Sequence, residues 1–188
     1  MEFLTELWMP IVASAVLVFI VSSILHMALP IHKSDHDKLA DEDALMAFMR
    51  EQGIRPGSYM FPCPSSMKDM GSPEMIEKYK QGPVAWMTVL PSGPPQMGKS
   101  LVHWFLYSLL IGVFIAYIAW HGLGPENEYM KVFRMTSAVG FLGYGVPALV
   151  DSIWKGQRIG VSLKFVFDGF IYCLAAAGAF SWLWPAAA

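Results

Sequence analysis

Four long runs almost empty of charge constrain this chain more than any other feature. Residues 7–30 hold no acid or base, the nearest being Glu6 and Lys33, and residues 101–123 are free of charge between Lys99 and Glu126. Residues 132–150 form a weaker run, with Arg134 near its start and Pro147 inside it. Residues 163–185 carry Lys164 and Asp168 in their first turns. A helix needs about 20 apolar residues to cross a hydrocarbon core. Backbone groups cannot go unpaired in lipid, so each run predicts a helix. The expected fold is an α-helical integral membrane protein: four transmembrane helices, with a small α+β cytoplasmic cap at 31–100 between the first two. Composition agrees. The chain is 55% hydrophobic and only 15% charged, with a net charge of -2, whereas charged residues make up about a quarter of a soluble domain. Those values exclude a disordered chain and a basic nucleic-acid binder, and name the lipid bilayer as the first partner.

Charge sorting gives an orientation. With four crossings, one face collects Lys33, Lys99, Lys155 and Arg158 close to the helix ends, plus the bases of the long loop, while the other holds Lys131 and Arg134. The positive-inside rule then makes 31–100 cytoplasmic and both termini external. Tryptophans agree, with Trp8, Trp120, Trp182 and Trp184 at the outer ends and Trp104 and Trp154 at the inner ends, as in an interfacial aromatic belt. The first run reads as a permanent anchor, since its lead contains Glu2 and Glu6 and no base. Cys63 and Cys173 fall in the cytoplasmic loop and inside a span, where a disulfide is not expected.

The cap is patterned although too short for a strong core of its own. Asp41 should cap a helix running to about Gln52, with Gly53 as its stop. Ser72-Pro73-Glu74 is a helix start that should run to Gly82-Pro83. Ser58–Pro62 and Val84–Leu90 read as short strands.

Ionisable groups inside spans are candidates for function. His26 and His103 lie near the inner ends of the first and second spans, and Asp168 lies near the inner end of the fourth. Together they form a possible polar cluster for a proton path, an ion site or a clasp between helices. The bland alternative pairs Lys164 with Asp168 one turn away. His32, Asp35 and His36 offer imidazoles at i and i+4 with a carboxylate beside them, a spacing that on a helix can hold a divalent metal. No other cofactor is expected. Gly93 to Ser100 formally matches the phosphate-binding loop G-x-x-x-x-G-K-[ST]. Pro94 and Pro95 remove the N–H groups such a loop must aim at phosphate, so the match reads as fortuitous. Gly169, Cys173, Ala177 and Ser181 recur every four residues, a small-residue stripe that lets helices approach closely. Gly140, Gly143 and Gly145 precede Pro147, which should kink the third span. No complete catalytic constellation is present.

Several short motifs are spread through the chain: Leu25-His26 near Leu29-Pro30, His32 with Ser34-Asp35, Asp41 to Ala44, Tyr59 to Pro62, Pro91 to Pro95 and Phe167-Asp168-Gly169. Through them the chain resembles a group of small bacterial inner-membrane proteins to which no activity is assigned. That resemblance implies a multi-pass location in the bacterial inner membrane and no functional residue. The leading functional expectation is a non-enzymatic accessory or scaffold subunit of a larger bacterial membrane assembly, with other membrane subunits or further copies as partners. The alternatives are a small transporter, channel or ion-binding protein using the His/Asp cluster, and a membrane-bound metalloprotein.

Overall fold

The computed structural model describes residues 2–124 and 127–185. Residues 1, 125–126 and 186–188 lie outside the described residues. In chain order the elements are α1 (Glu2–Glu6), α2 (Trp8–Ser23), α3 (Glu42–Glu51), β1 (Gly57–Phe61), α4 (Met67–Met70), α5 (Pro73–Gln81) and β2 (Ala85–Val89), followed by α6 (Met97–Leu123), α7 (Tyr129–Tyr144), α8 (Leu149–Trp154) and α9 (Ile159–Trp182). A π-helical turn, Ile24–Ala28, extends α2, and single 3-10 turns lie at Pro30–Ser34 and Val146–Ala148. The protein is mostly helical, with a small two-stranded sheet.

Three helices are long and apolar enough to cross a membrane: Trp8–Ala28, Met97–Leu123 and Ile159–Trp182, of 21, 27 and 24 residues. At 1.5 Å per residue they reach about 32, 40 and 36 Å, against a hydrocarbon core of about 30 Å. The run at 132–150 does not form one such helix. Its helix, α7, starts earlier and ends at Tyr144 after 16 residues, or about 24 Å. The chain then takes a 3-10 turn with Pro147 inside it and restarts as α8. Proline supplies no N–H to continue the ladder, and a Cβ on Gly145 would lie 2.6 Å from the ring of Phe141. At the fourth run the helix begins at Ile159 rather than 163, so Asp168 lies about 14 Å from its start, deeper than the sequence suggested.

The chain forms two compact units: Met1–Asp37 with Gln96–Ala188, and Lys38–Pro95. In the second unit Asp41 caps α3, accepting a bond from the Ala44 N–H at 2.9 Å, and Gly53 follows at positive φ. Ser72 accepts from the Met75 N–H at 3.2 Å to start α5 at Pro73. β1 and β2 pair antiparallel, Gly57 opposite Val89 and Phe61 opposite Ala85. Residues 93–96 form an irregular lead into α6. The only sheet among the described residues is this antiparallel pair, not the parallel sheet a phosphate-binding loop requires.

The helical unit has an apolar core with polar groups buried in it, and its exterior is apolar as well. Val16, Leu17 and Ile20 on α2, Leu106, Leu110 and Phe114 on α6, and Leu163, Phe167 and Phe170 on α9 are exposed. Ser14, Ser108, Thr136, Ser162 and Asp168 are buried. Ser14, Ser108 and Thr136 donate to carbonyls of their own helices at 2.8–3.0 Å. Water would penalise that exterior, and lipid would not.

Small residues set the helix spacing. A Cβ on Gly112 of α6 would sit 3.2 Å from Ser14 Oγ on α2, and one on Gly140 of α7 would sit 3.1 Å from Cys173 Cβ on α9. A Cβ on Gly169 would run into the backbone of Gly145 and come 2.6 Å from the carbonyl carbon of Tyr144. Cys173 and Ala177 are buried in the unit and Ser181 nearly so. The small-residue stripe therefore lies inside the chain's own helix packing.

Candidate metal centre

Two irregular turns deliver the histidines. His26 sits in the π-helical turn Ile24–Ala28, where one extra residue re-aims a side chain relative to the helix. Leu29 is extended ahead of Pro30, and the 3-10 turn that Pro30 opens carries His32. The two imidazoles stack, their centroids 4.2 Å apart, with Phe165 of α9 against both. Asp168 of α9 meets them from the other side. His32 Nε2 lies 2.9 Å and His26 Nε2 3.6 Å from Asp168 Oδ2. The Asp168 side chain is 1% exposed and the His32 side chain 13%.

Lone pairs decide the chemistry of this cluster. His32 Nδ1 is 2.6 Å from Asp35 Oδ2. A carboxylate only accepts, so Nδ1 carries the proton, and in the neutral ring Nε2 keeps a lone pair; a second proton on Nε2 would make the ring an imidazolium paired with Asp168 at 2.9 Å. The lone pair of the neutral ring faces a second acceptor, Asp168. Among the described residues, neither His32 Nε2 nor either oxygen of Asp168 has a hydrogen-bond partner, although all three are buried. A buried, unpaired carboxylate is costly unless a charge or donors meet it. Two ligand atoms about 2.1 Å from one ion stand about 3.0–3.4 Å apart at octahedral or tetrahedral angles. The two separations measured here, 2.9 and 3.6 Å, lie just either side of that spacing, and one ligand atom from each of His26, His32 and Asp168 falls within 4.8 Å of the others.

An outer layer holds these groups in place. Lys164 donates to Asp35 Oδ1 at 2.7 Å and to Ser34 Oγ at 2.9 Å. The Lys164 ammonium, with His32 adding to it, holds the Asp35 carboxyl below the usual carboxylate range. Arg158 donates to the carbonyls of Ser34 and Asp35 at 2.9 and 3.0 Å and pairs with Asp37 at 3.1 Å. A ligating histidine whose other ring nitrogen meets a carboxylate is the arrangement expected around a metal. Tyr172 OH lies 3.0 Å from His26 Nε2, the same nitrogen that faces Asp168.

The fold regroups the candidates that the sequence offers. His26 and Asp168 meet, but His103, exposed on α6, does not reach them. His32 joins them and leaves His36, because the turn carrying His32 ends at Ser34 and the two imidazoles do not share a helix face. Asp35 orients His32 from behind. Lys164 pairs with Asp35 rather than with Asp168. Tyr172 gave no signal in the sequence beyond its position four residues from Asp168.

His26, Asp168 and Tyr172 also line one end of a cavity of about 980 Å³ among α2, α6, α7 and α9, whose wall is mainly apolar and includes Trp104, Tyr107 and Tyr144. His103 and His36 line it elsewhere. Compared with protein-family models, curated proteins and solved structures, the chain matches none.

Proposed function

We propose that this is a polytopic membrane protein that holds a divalent transition-metal ion through His26, His32 and Asp168. The observation that carries the reading is the convergence of His26 and His32 on the buried Asp168, with His32 Nε2 and Asp168 2.9 Å apart and, in the neutral ring, no proton between them. Two imidazoles and a carboxylate suit zinc, iron, manganese or cobalt better than magnesium or calcium, which prefer all-oxygen shells. Gly169 and Cys173 of the small-residue stripe pack against α7 and its C-terminal end, and Ala177 and Ser181 are buried within the chain, so the stripe lends a scaffold role no free face. A partner subunit would be an addition to this site.

The same proposal extends to the topology. The path from α7 through Pro147 to α8 makes the third of four crossings in a bacterial inner membrane. Residues 31–100 then lie on the cytoplasmic side and both termini outside. Supporting this are the lysines and arginines gathered near Lys33, Lys99, Lys155 and Arg158.

Metal analysis of the protein purified in mild detergent tests the reading. About one transition-metal ion per chain is expected for the wild type and for His103→Ala. His32→Ala and Asp168→Asn should weaken binding by more than the roughly 10–100-fold typical of losing an outer-shell partner. A folded wild type that neither retains nor takes up zinc, manganese or ferrous iron would sink the metal reading. A proton shared along Tyr172, His26, Asp168, His32 and Asp35 would then be the better account.

A further inference from the structure

The metal site occupies one end of a cavity far larger than an ion needs, and the rest of that cavity has a chemistry of its own. Its volume, about 980 Å³, lies at the top of the range of about 300–1,000 Å³ seen for small-molecule sites. One wall is a cluster of aromatic rings. Trp104 stacks on Tyr107 at 5.6 Å and meets Tyr172 at 5.7 Å, and Tyr144 meets Tyr172 at 5.9 Å.

The polar ends of those rings are already engaged. Trp104 Nε1 donates to Ser22 Oγ at 2.8 Å, Tyr107 OH to the Gly143 carbonyl at 2.8 Å, and Tyr144 OH to the Ser108 carbonyl at 3.4 Å. What they leave to an occupant is π surface. Among the described residues no lysine or arginine lines the cavity, so a phosphate or sulfonate head would find no counter-charge there. Polar side chains of the lining include His26 and Asp168, with His36, His103, Asp151 and Gln157 elsewhere on the wall. At the rim, Met27, Met97 and Leu101 are exposed apolar side chains, a mouth suited to a molecule arriving from lipid.

We propose that this cavity binds a neutral, lipid-soluble molecule with a planar oxygen-bearing ring, of the quinone or phenol class. Its ring lies along Trp104, Tyr107 and Tyr144, and its oxygen points at the His26–Asp168 end. The ring body rests on the aromatic wall, where offset or edge contacts with a planar guest are favourable. The placement of the oxygen rests on the metal reading above, since a bound ion with three protein ligands leaves positions for an oxygen donor. Binding alone is assigned to the cavity.

Titration of the wild-type protein with a decyl-substituted benzoquinone, read by tryptophan quenching, tests the proposal, with metal content measured on the same samples. Saturable binding near one per chain is expected. Ala148→Phe, which fills the cavity from the turn after α7, should weaken it at least tenfold without changing metal content. Ser23→Phe fills the same space from α2 and serves in its place should the first variant melt early. Quenching that does not saturate, or that both folded variants leave unchanged, would overturn the cavity assignment while a full metal complement leaves the metal reading standing. Displacement of the probe by equimolar hexadecanol would overturn the planar-ring class. A wild type without metal that still binds the probe in an Ala148-sensitive manner would overturn the metal reading and the placement of the oxygen, and would support the cavity.

Discussion

Asp35 shows how a residue can govern a site it does not enter. It fixes the His32 tautomer from behind and is itself held by Lys164. Asp35→Asn should keep all three ligand side chains and lower metal affinity by about 10–100-fold. Competition against a chelator of known affinity checks this, and a loss as deep as that of Asp168→Asn would make Asp35 a ligand instead. Asp69, in the other unit, gives a pH prediction. It accepts from the Ser65 N–H at 2.8 Å, the Ser65 hydroxyl at 3.0 Å and the Ser72 hydroxyl at 3.4 Å. The Ser65 backbone bond first, then its hydroxyl, hold this carboxyl below its ordinary range. A folded value below the unfolded one contributes stability above the ordinary pKa of about 3.9, lost as pH falls through the folded value. The protection factor of the Ser65 amide, with the intrinsic exchange rate at each pH divided out, should therefore hold from neutral pH down to about 4 and fall only below it, and Asp69→Asn should remove that acid limb. A fall beginning near neutral pH would contradict it. At this scale the sequence singled out His26 and Asp168 as ionisable groups to watch, and the fold brings the two together. It could not join His32 to them, because a π-turn and a proline-led turn set the ring directions, and neither follows a 3.6 period.

Among the elements, the contact between α7 and α9 is the tightest. The stripe Gly169, Cys173, Ala177, Ser181 was readable from its spacing of four, but which helix it would meet was not. At Gly169 a methyl group would overlap the Gly145 backbone, and backbone cannot rotate away as a side chain can. Gly169→Ala should therefore cost at or above the usual overpacking range of about 1–3 kcal/mol, lowering the melting temperature by more than ~5 °C. Gly178→Ala on the same helix meets nothing within 4 Å, and should be neutral or stabilising by up to about 1 kcal/mol. Equal melting temperatures for the two variants would contradict this packing. Metal content should fall with Gly169→Ala too, because Asp168 moves with its neighbour.

For the molecule as a whole, the number of crossings decides where the two ends lie. Four place both termini on one side, the outer one in the orientation proposed above, while three place them on opposite sides. Reporter tags at the two ends of the full chain should therefore both report the outer face, and opposite readings would remove α7–α8 as a crossing. Cys63 is exposed and Cys173 buried, so an impermeant thiol reagent should label the intact protein at Cys63 alone, and only once the membrane is opened. Labelling of Cys63 in sealed cells would reverse the orientation.

Apolar run length, caps and turn chemistry are local properties of a sequence, and through them the sequence by itself determined the three long helices, the helix starts at Asp41 and Ser72, and the two short strands. The cluster of His26, His32 and Asp168 is not local. Its members are separated by six residues and then by well over a hundred, and they meet where α2 packs on α9 and two irregular turns carry His26 and His32 toward Asp168. The cavity beside them is likewise set by where four helices fail to fill the space between them, a property of packing that no single segment carries.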